Sequence, residues 1–185
     1  MEDAAVYRYE IDRNDLIVDV DANWLAFAKE NDAADLTRER VVGRSVHVFI
    51  AGWVASELYA LLFNALRRSR AAATLPFRCD APSLKRYMQM ELSPGEDGHL
   101  RLAGRLLRSA AHPRIPLLDA KVRRNGEWLL ICSLCRRILL ADGSWREIEE
   151  ALPSPYAEPV DGLPQLSHDV CPSCVFALRE AMGND

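Results

Sequence analysis

The residues best equipped for chemistry are cysteines. Four of the five fall in two Cys-x-x-Cys pairs, Cys132-Ser133-Leu134-Cys135 and Cys171-Pro172-Ser173-Cys174, with 35 residues between them. At this spacing the chain can reverse and aim both sulfurs of a pair at one point. Two such knuckles brought together present four thiolates as a tetrahedron, the geometry Zn2+ takes in closed structural sites. Pro172 stiffens the second knuckle, because its fixed φ lowers the entropy lost in ordering the turn. Cys132, Cys135, Cys171 and Cys174 are therefore the expected metal ligands.

Other uses of the same residues stay open. A redox centre needs only one Cys-x-x-Cys pair on a thioredoxin-like βαβ unit and leaves the second pair without a role. A disulfide framework suits oxidising compartments, whereas the start Met1-Glu2-Asp3 is acidic where a secretory leader is basic. Iron, as a rubredoxin-like ion or an Fe–S cluster, accepts the same ligands, and spacing does not exclude it. Zinc ranks first because closed four-cysteine zinc sites are a standard structural solution. His168 lies just before the second pair; with four thiolates already completing the tetrahedron, it is expected behind the ligands or in packing. Four thiolates around Zn2+ carry a net charge of about −2, which is costly to bury bare. Arg136 and Arg137 follow Cys135 directly, with Lys121, Arg123 and Arg124 upstream, and some of these are expected to compensate it.

The elements that must position these groups fit within a chain of 185 residues, 49% of them hydrophobic, enough for one ordinary domain and a small accessory module. A net charge of −4 argues against a general nucleic-acid-binding surface. No apolar run approaches the length of a membrane span, and reduced thiols make the cytoplasm the expected compartment. Pro153, Pro155, Pro159 and Pro164 mark an irregular connection between the knuckles. No Walker loop, Gly-x-Ser-x-Gly, histidine-kinase or receiver sequence is present. A closed four-cysteine site also lacks an open position for water. No catalytic residue is assigned, and a non-enzymatic role is expected.

Val6 to Val20 reads as two strands around Asp12-Arg13-Asn14-Asp15, and Asp21 as the cap of a helix carrying Trp24, Leu25, Phe27 and Ala28. A long amphipathic helix is predicted from Gly52 to Arg70, with Val54, Leu58, Leu61, Leu62, Ala65 and Leu66 on its apolar side. Arg67, Arg68 and Arg70 read as its solvated end. Three strands follow, carrying Leu75, Phe77 and Cys79, then Met88, Met90 and Leu92, then Leu100, Leu102, Gly104 and Leu106. Cys79 reads as a small core hydrophobe. Trp128 to Ile131 is a predicted strand that delivers the first knuckle. Ser144-Trp145-Arg146-Glu147 reads as a capping box opening a helix with Trp145, Ile148 and Leu152, and Ser173 as the cap of a last helix.

The order strand–strand–helices–strand–strand–strand resembles a PAS sensory domain. Val42-Gly43-Arg44-Ser45-Val46-His47-Val48-Phe49-Ile50 is similar to the Gly-Arg-Ser-Leu-x-x-Phe-Ile stretch that leads into the long helix of many PAS domains. Residues 131–174 resemble a module found after PAS and receiver domains in bacterial two-component signalling proteins, where Ile-Cys-Ser-x-Cys-Lys, Trp-x-x-x-Glu and Ser-His-Gly-Ile-Cys-Pro-x-Cys recur. Here these read Ile131-Cys132-Ser133-Leu134-Cys135-Arg136, Trp145 to Glu149, and Ser167-His168-Asp169-Val170-Cys171-Pro172-Ser173-Cys174, with Asp169 in place of the glycine.

The resemblance implies an α+β fold: a PAS-like five-stranded antiparallel sheet with flanking helices over 1–112, and a small zinc-knuckle module over 113–185. It implies a ligand pocket between the inner sheet face and the helices, lined by Trp24, Phe49, Leu58, Leu62, Phe77, Met88 and Leu102. It also implies a bacterial sensory or adaptor protein that binds a protein partner in a signalling pathway, a small-molecule ligand, or both, and that pairs as a homodimer. A haem or flavin is a further option, with His47 as the axial ligand for haem. A thiol-based redox or metal sensor, with the four-cysteine cluster as the switch, is the alternative from another class.

Overall fold

The computed structural model describes residues 5–183, so Met1, Glu2 and Asp3 lie outside it. Strands β1 (Val6–Ile11) and β2 (Ile17–Val20) form the expected hairpin. The Asp12 carboxylate accepts the Asn14 and Leu16 N–H groups at 2.8 and 2.9 Å, and Asp15 takes the left-handed φ of 61° that closes the turn. Asp21 caps α1 (Ala22–Glu30), accepting the Trp24 N–H at 2.7 Å. A short α2 (Arg38–Val41) and a 3-10 turn at Val46–Phe49 lead to α3 (Trp53–Ser69). Strands β3 (Ala73–Arg78), β4 (Leu84–Pro94) and β5 (Leu100–Ala111) complete an antiparallel sheet of order β2-β1-β5-β4-β3. Pro76 is tolerated because β3 is an edge strand. Helices α1 and α3 pack on the face that carries Ile11, Leu92 and Leu102. On the other face Arg8, Arg101, Arg105 and Glu91 reach water, as alternation in a half-solvated sheet requires.

Two expectations about α3 need correction. Its apolar stripe runs through Ala55, Leu62, Phe63 and Leu66, while Leu61 is 57% exposed. Successive helical residues are set about 100° apart, so burying Phe63 widens the stripe on the side away from Leu61. Arg67 is no solvated helix end either. It donates to the Gly98 and Asp12 carbonyls, both at 2.8 Å, and to Asp15 Oδ1 at 2.7 Å, and Arg70 donates to the Gly95 carbonyl at 2.8 Å. Turn carbonyls that no strand pairs need donors, and the helix end supplies them.

The second half forms a smaller sheet from β6 (Arg124–Cys132), β7 (Ile138–Leu139), β8 (Trp145–Arg146) and β9 (Leu163–Asp169), in the order β8-β7-β6-β9, with β6 and β9 parallel. The capping box does not form. The Ser144 N–H and hydroxyl both go to Asp142 Oδ1, at 2.9 and 2.7 Å, and Trp145 and Arg146 pair with Leu139 and Ile138. Asp142-Gly143 thus closes a hairpin that consumes Trp145, leaving one helical turn, α4 (Ile148–Ala151). Helix α5 (Pro172–Met182) starts from Cys171 rather than Ser173, because Pro172 takes the first helical position, where its missing N–H costs nothing.

One buried cluster joins Ile11, Leu62, Leu66, Leu75 and Leu102 of the first sheet and α3 to Cys132, Leu134, Val170, Cys171 and Leu178. Its members come from both sides of residues 112 and 113. A second, outer cluster holds Ile115, Leu117, Ile131, Ile138, Ile148 and Leu163. Among the described residues no helix is long and apolar enough to cross a membrane.

Candidate functional site

Parallel β6 and β9 end side by side, with Cys132 in register with Asp169, and the Ser133 N–H reaches the Asp169 carbonyl at 2.8 Å. Both knuckles therefore leave the sheet at one point. In the first, the Arg136 N–H bonds the Cys132 carbonyl at 3.0 Å and the Cys132 N–H bonds the Arg137 carbonyl at 2.8 Å, with Arg136 at a left-handed φ of 65°. The second knuckle is the first turn of α5, where the Cys174 N–H meets the Cys171 carbonyl at 2.9 Å. The Cys171 N–H points at Cys132 Sγ, 3.4 Å away.

All four sulfurs lie within 4.8 Å of one another, and Cys135 and Cys171 are 3.6 Å apart. Tetrahedral zinc with bonds of about 2.3 Å holds its sulfurs about 3.8 Å apart, whereas a disulfide brings them to about 2.05 Å. The thiols are free, and the donor set fits one tetrahedral ion. Its protons are in conflict. Hydrogen bonds from the Cys135 and Cys174 thiols hold Cys132 far below the usual thiol range, and the same contact pushes Cys135 up to about 12 and Cys174 higher still. A soft cation resolves this by replacing the shared protons.

His168 is not among the grouped ligands. It sits on β9 in register with Ile131, and burial, then the Arg136 charge, lowers its pKa and favours the neutral imidazole. The Arg136 Nε is buried without a hydrogen-bond partner, and its charge also acts on Cys79. Arg137 faces the cluster: burial opposes its charge, but the nearby Cys135 and Glu147 raise its pKa overall. The upstream cations do not serve the cluster. Lys121 pairs with Asp32 at 2.8 Å, Arg124 donates to the Leu117, Asp119 and Pro164 carbonyls, and Arg123 is exposed. Of the two arginines next to Cys135, Arg137 is the one whose charge is coupled to cluster sulfurs, those of Cys135 and Cys171.

The knuckles are fastened to the first sheet by residues that the sequence did not single out. The Ser133 hydroxyl donates to the Ala51 carbonyl at 2.6 Å. Gly52, at φ +91°, lies so close to β9 that a Cβ there would stand 2.8 Å from the His168 carbonyl oxygen. The Arg78 N–H bonds the Leu134 carbonyl at 2.7 Å, while its buried guanidinium pairs with Asp80 and, at 2.9 Å, with Glu147. An Arg and an Asp flanking a half-buried Cys79 were a weak signal of such a pair.

A separate cavity of about 340 Å3 lies beneath α1 and the 46–50 segment. Trp24, Phe49, Phe77 and Met88 line it, joined by Tyr7, Tyr9, Phe27, Ile50, Met90 and Cys79. Leu58, Leu62 and Leu102 do not. Leu62 and Leu102 are fully buried with Leu66, Leu75 and Leu92, where α3 packs directly on the sheet, and Leu58 packs against that same cluster. The inward alternation of Tyr7 and Tyr9 was the legible sign of the missed wall. His47 is outside the cavity, and both ring nitrogens are engaged, Nδ1 with Ser56 Oγ at 3.0 Å and Nε2 with Asp15 Oδ2 at 2.9 Å. It offers no free nitrogen to a haem iron.

Fold and site together define an α+β protein with a five-stranded antiparallel sheet and a four-cysteine cluster compatible with a metal or a redox site. No protein-family model matches the chain, and no curated protein matches it. Among solved structures it is similar to the crystal structure of a sensory box sensor histidine kinase from Vibrio cholerae, with 11% identity, 58% of this chain and 83% of that chain covered, and a TM-score of 0.41.

Proposed function

We propose that the protein is a non-enzymatic, cytoplasmic sensory or adaptor component of bacterial signalling: a PAS-like body that binds a small molecule or a protein partner, stapled by zinc on Cys132, Cys135, Cys171 and Cys174. The observation that carries this reading is the pairing of two sites of different chemistry. One is a cluster of four sulfurs within 4.8 Å of one another; the other is an apolar cavity with six aromatic side chains in its wall. Neither offers a nucleophile with a base beside it, and a closed four-cysteine site acts as a scaffold. The cavity suits a flat, mostly apolar ligand. Val48, Trp53 and Leu61, exposed at 60%, 77% and 57%, give the 46–61 segment apolar contacts for a partner.

Elemental analysis and native mass spectrometry of the protein as purified test this. One zinc per chain, with or without a retained apolar small molecule, is the expected result. Metal-free protein, or turnover of a ligand found in the cavity, would overturn it.

A further inference from the structure

Two strips of the cavity wall are continuous with the residues that hold the cysteine knuckles. Ile50 lines the cavity, and the next two residues are knuckle contacts: Ala51 takes the Ser133 hydroxyl at 2.6 Å, and Gly52 abuts the His168 backbone with no room for a side chain. On the opposite side Phe77 and Cys79 line the cavity. Between them Arg78 bonds the Leu134 carbonyl, inside the first knuckle, at 2.7 Å and pairs with Glu147. Each wall is thus one residue away from a hydrogen bond to the loop that carries Cys132 and Cys135.

We infer that metal loading and cavity occupancy are thermodynamically coupled: the ion fixes the knuckle, the knuckle fixes both walls, and a ligand that fills the cavity tightens the hold on the ion. This rests on the proposed reading of both sites. Packed elements shift between discrete arrangements rather than deforming freely, so a loosened knuckle releases Ile50 and Phe77 together. Linkage makes the effect reciprocal: whatever factor zinc adds to ligand affinity, the ligand adds to zinc affinity.

The test uses the zinc-loaded protein and 8-anilinonaphthalene-1-sulfonate, a fluorescent probe whose aromatic rings are apolar and whose sulfonate is charged. Zinc affinity is measured by competition with a chromogenic chelator, with and without saturating probe. The expected result is zinc held on the order of fivefold more tightly with the cavity filled. Gly104→Leu, which places a side chain in the cavity beside Phe77 and Tyr7, removes the effect. Ser133→Ala, whatever its own zinc affinity, brings the ratio with and without probe toward one. Equal zinc affinities in the native chain, or an undiminished ratio in either variant, overturn the coupling. A chain that holds no zinc, or no probe, instead removes the reading of that site.

Discussion

Around the four cysteines nearly every position is tied by backbone hydrogen bonds: β6 to β9, Ser133 to Asp169, Arg136 to Cys132, Cys174 to Cys171. Around the cavity the wall is made mostly of side chains, contributed by β1, β2, α1, the 46–50 segment, the end of β3 and β4, with Gly104 of β5 among them. The first region brings four sulfurs within 4.8 Å of one another; the second sets only a shape and a polarity. A site that must hold four donors on one point needs a backbone framework, whereas a site that takes an apolar guest needs surface complementarity. The cluster is thus framed by backbone hydrogen bonds and the cavity by side-chain packing.

The contrast can be broken most forcefully at the metal. Stripping the ion with a chelator, or replacing Cys171 with Ser, is expected to cost several kcal/mol, against the ~10–16 kcal/mol that structural zinc supplies in zinc-finger peptides. Thermal melts should show a large drop in Tm, and an unchanged melt would mean the framework stands without metal. Next comes Arg78→Met, which leaves Asp80, 1% exposed at its side chain, without its cation. Breaking such a buried pair costs about 3–5 kcal/mol, measurable by urea denaturation; a loss below ~1 kcal/mol would show that the guanidinium pairs with Asp80 and Glu147 contribute little.

A smaller effect is expected from acid. Burial alone would raise the Glu147 carboxyl, but Arg78, with Lys85 and Arg137, holds it below the usual carboxylate range. A depressed pKa contributes stability above the unfolded value, about 4.3, and that stability is lost as pH falls through the folded pKa. Glu147→Gln should therefore flatten the loss of stability below about pH 4.3; identical acid limbs would remove the pair from the account. The smallest effect belongs to the cavity. A Cβ at Gly104 meets Phe77 and Tyr7 at ordinary distances of 3.8 and 3.9 Å, so Gly104→Ala should change stability by no more than ~1 kcal/mol, and in the stabilising direction. A larger loss by the same denaturation assay would mean the cavity wall is as constrained as the cluster.

The same contrast explains what could be read from the sequence. Cysteine spacing is a local signal, and the structure brings together the four sulfurs that it picked out. Period-two alternation gave β4 and β5, because one face of that sheet is solvated, and the Asp/Asn turn between two apolar runs gave β1 and β2. Two near-neighbour patterns misled. Ser144 and Glu147 have the spacing of a capping box, but Asp142 and Arg78 claim them. Arg67 has the look of a helix end, yet it fills the turn carbonyls at 12 and 98. The cavity was half legible: Trp24, Phe49, Phe77 and Met88 line it, whereas Leu62 and Leu102 follow the same apolar pattern but fall where α3 seats directly on the sheet. Which apolar residue meets a void and which meets a neighbour depends on where a helix lands, and periodicity does not carry that.

The central claim is that four thiolates share one ion, and native mass spectrometry of the intact chain tests it most directly. The account predicts a single species carrying one zinc whose mass reflects displaced thiol protons, and which returns to the free tetrathiol on acidification. A chain of unmodified mass with the thiols of Cys132, Cys135, Cys171 and Cys174 all reactive, or one lighter by the hydrogens of a disulfide and free of metal, would contradict it.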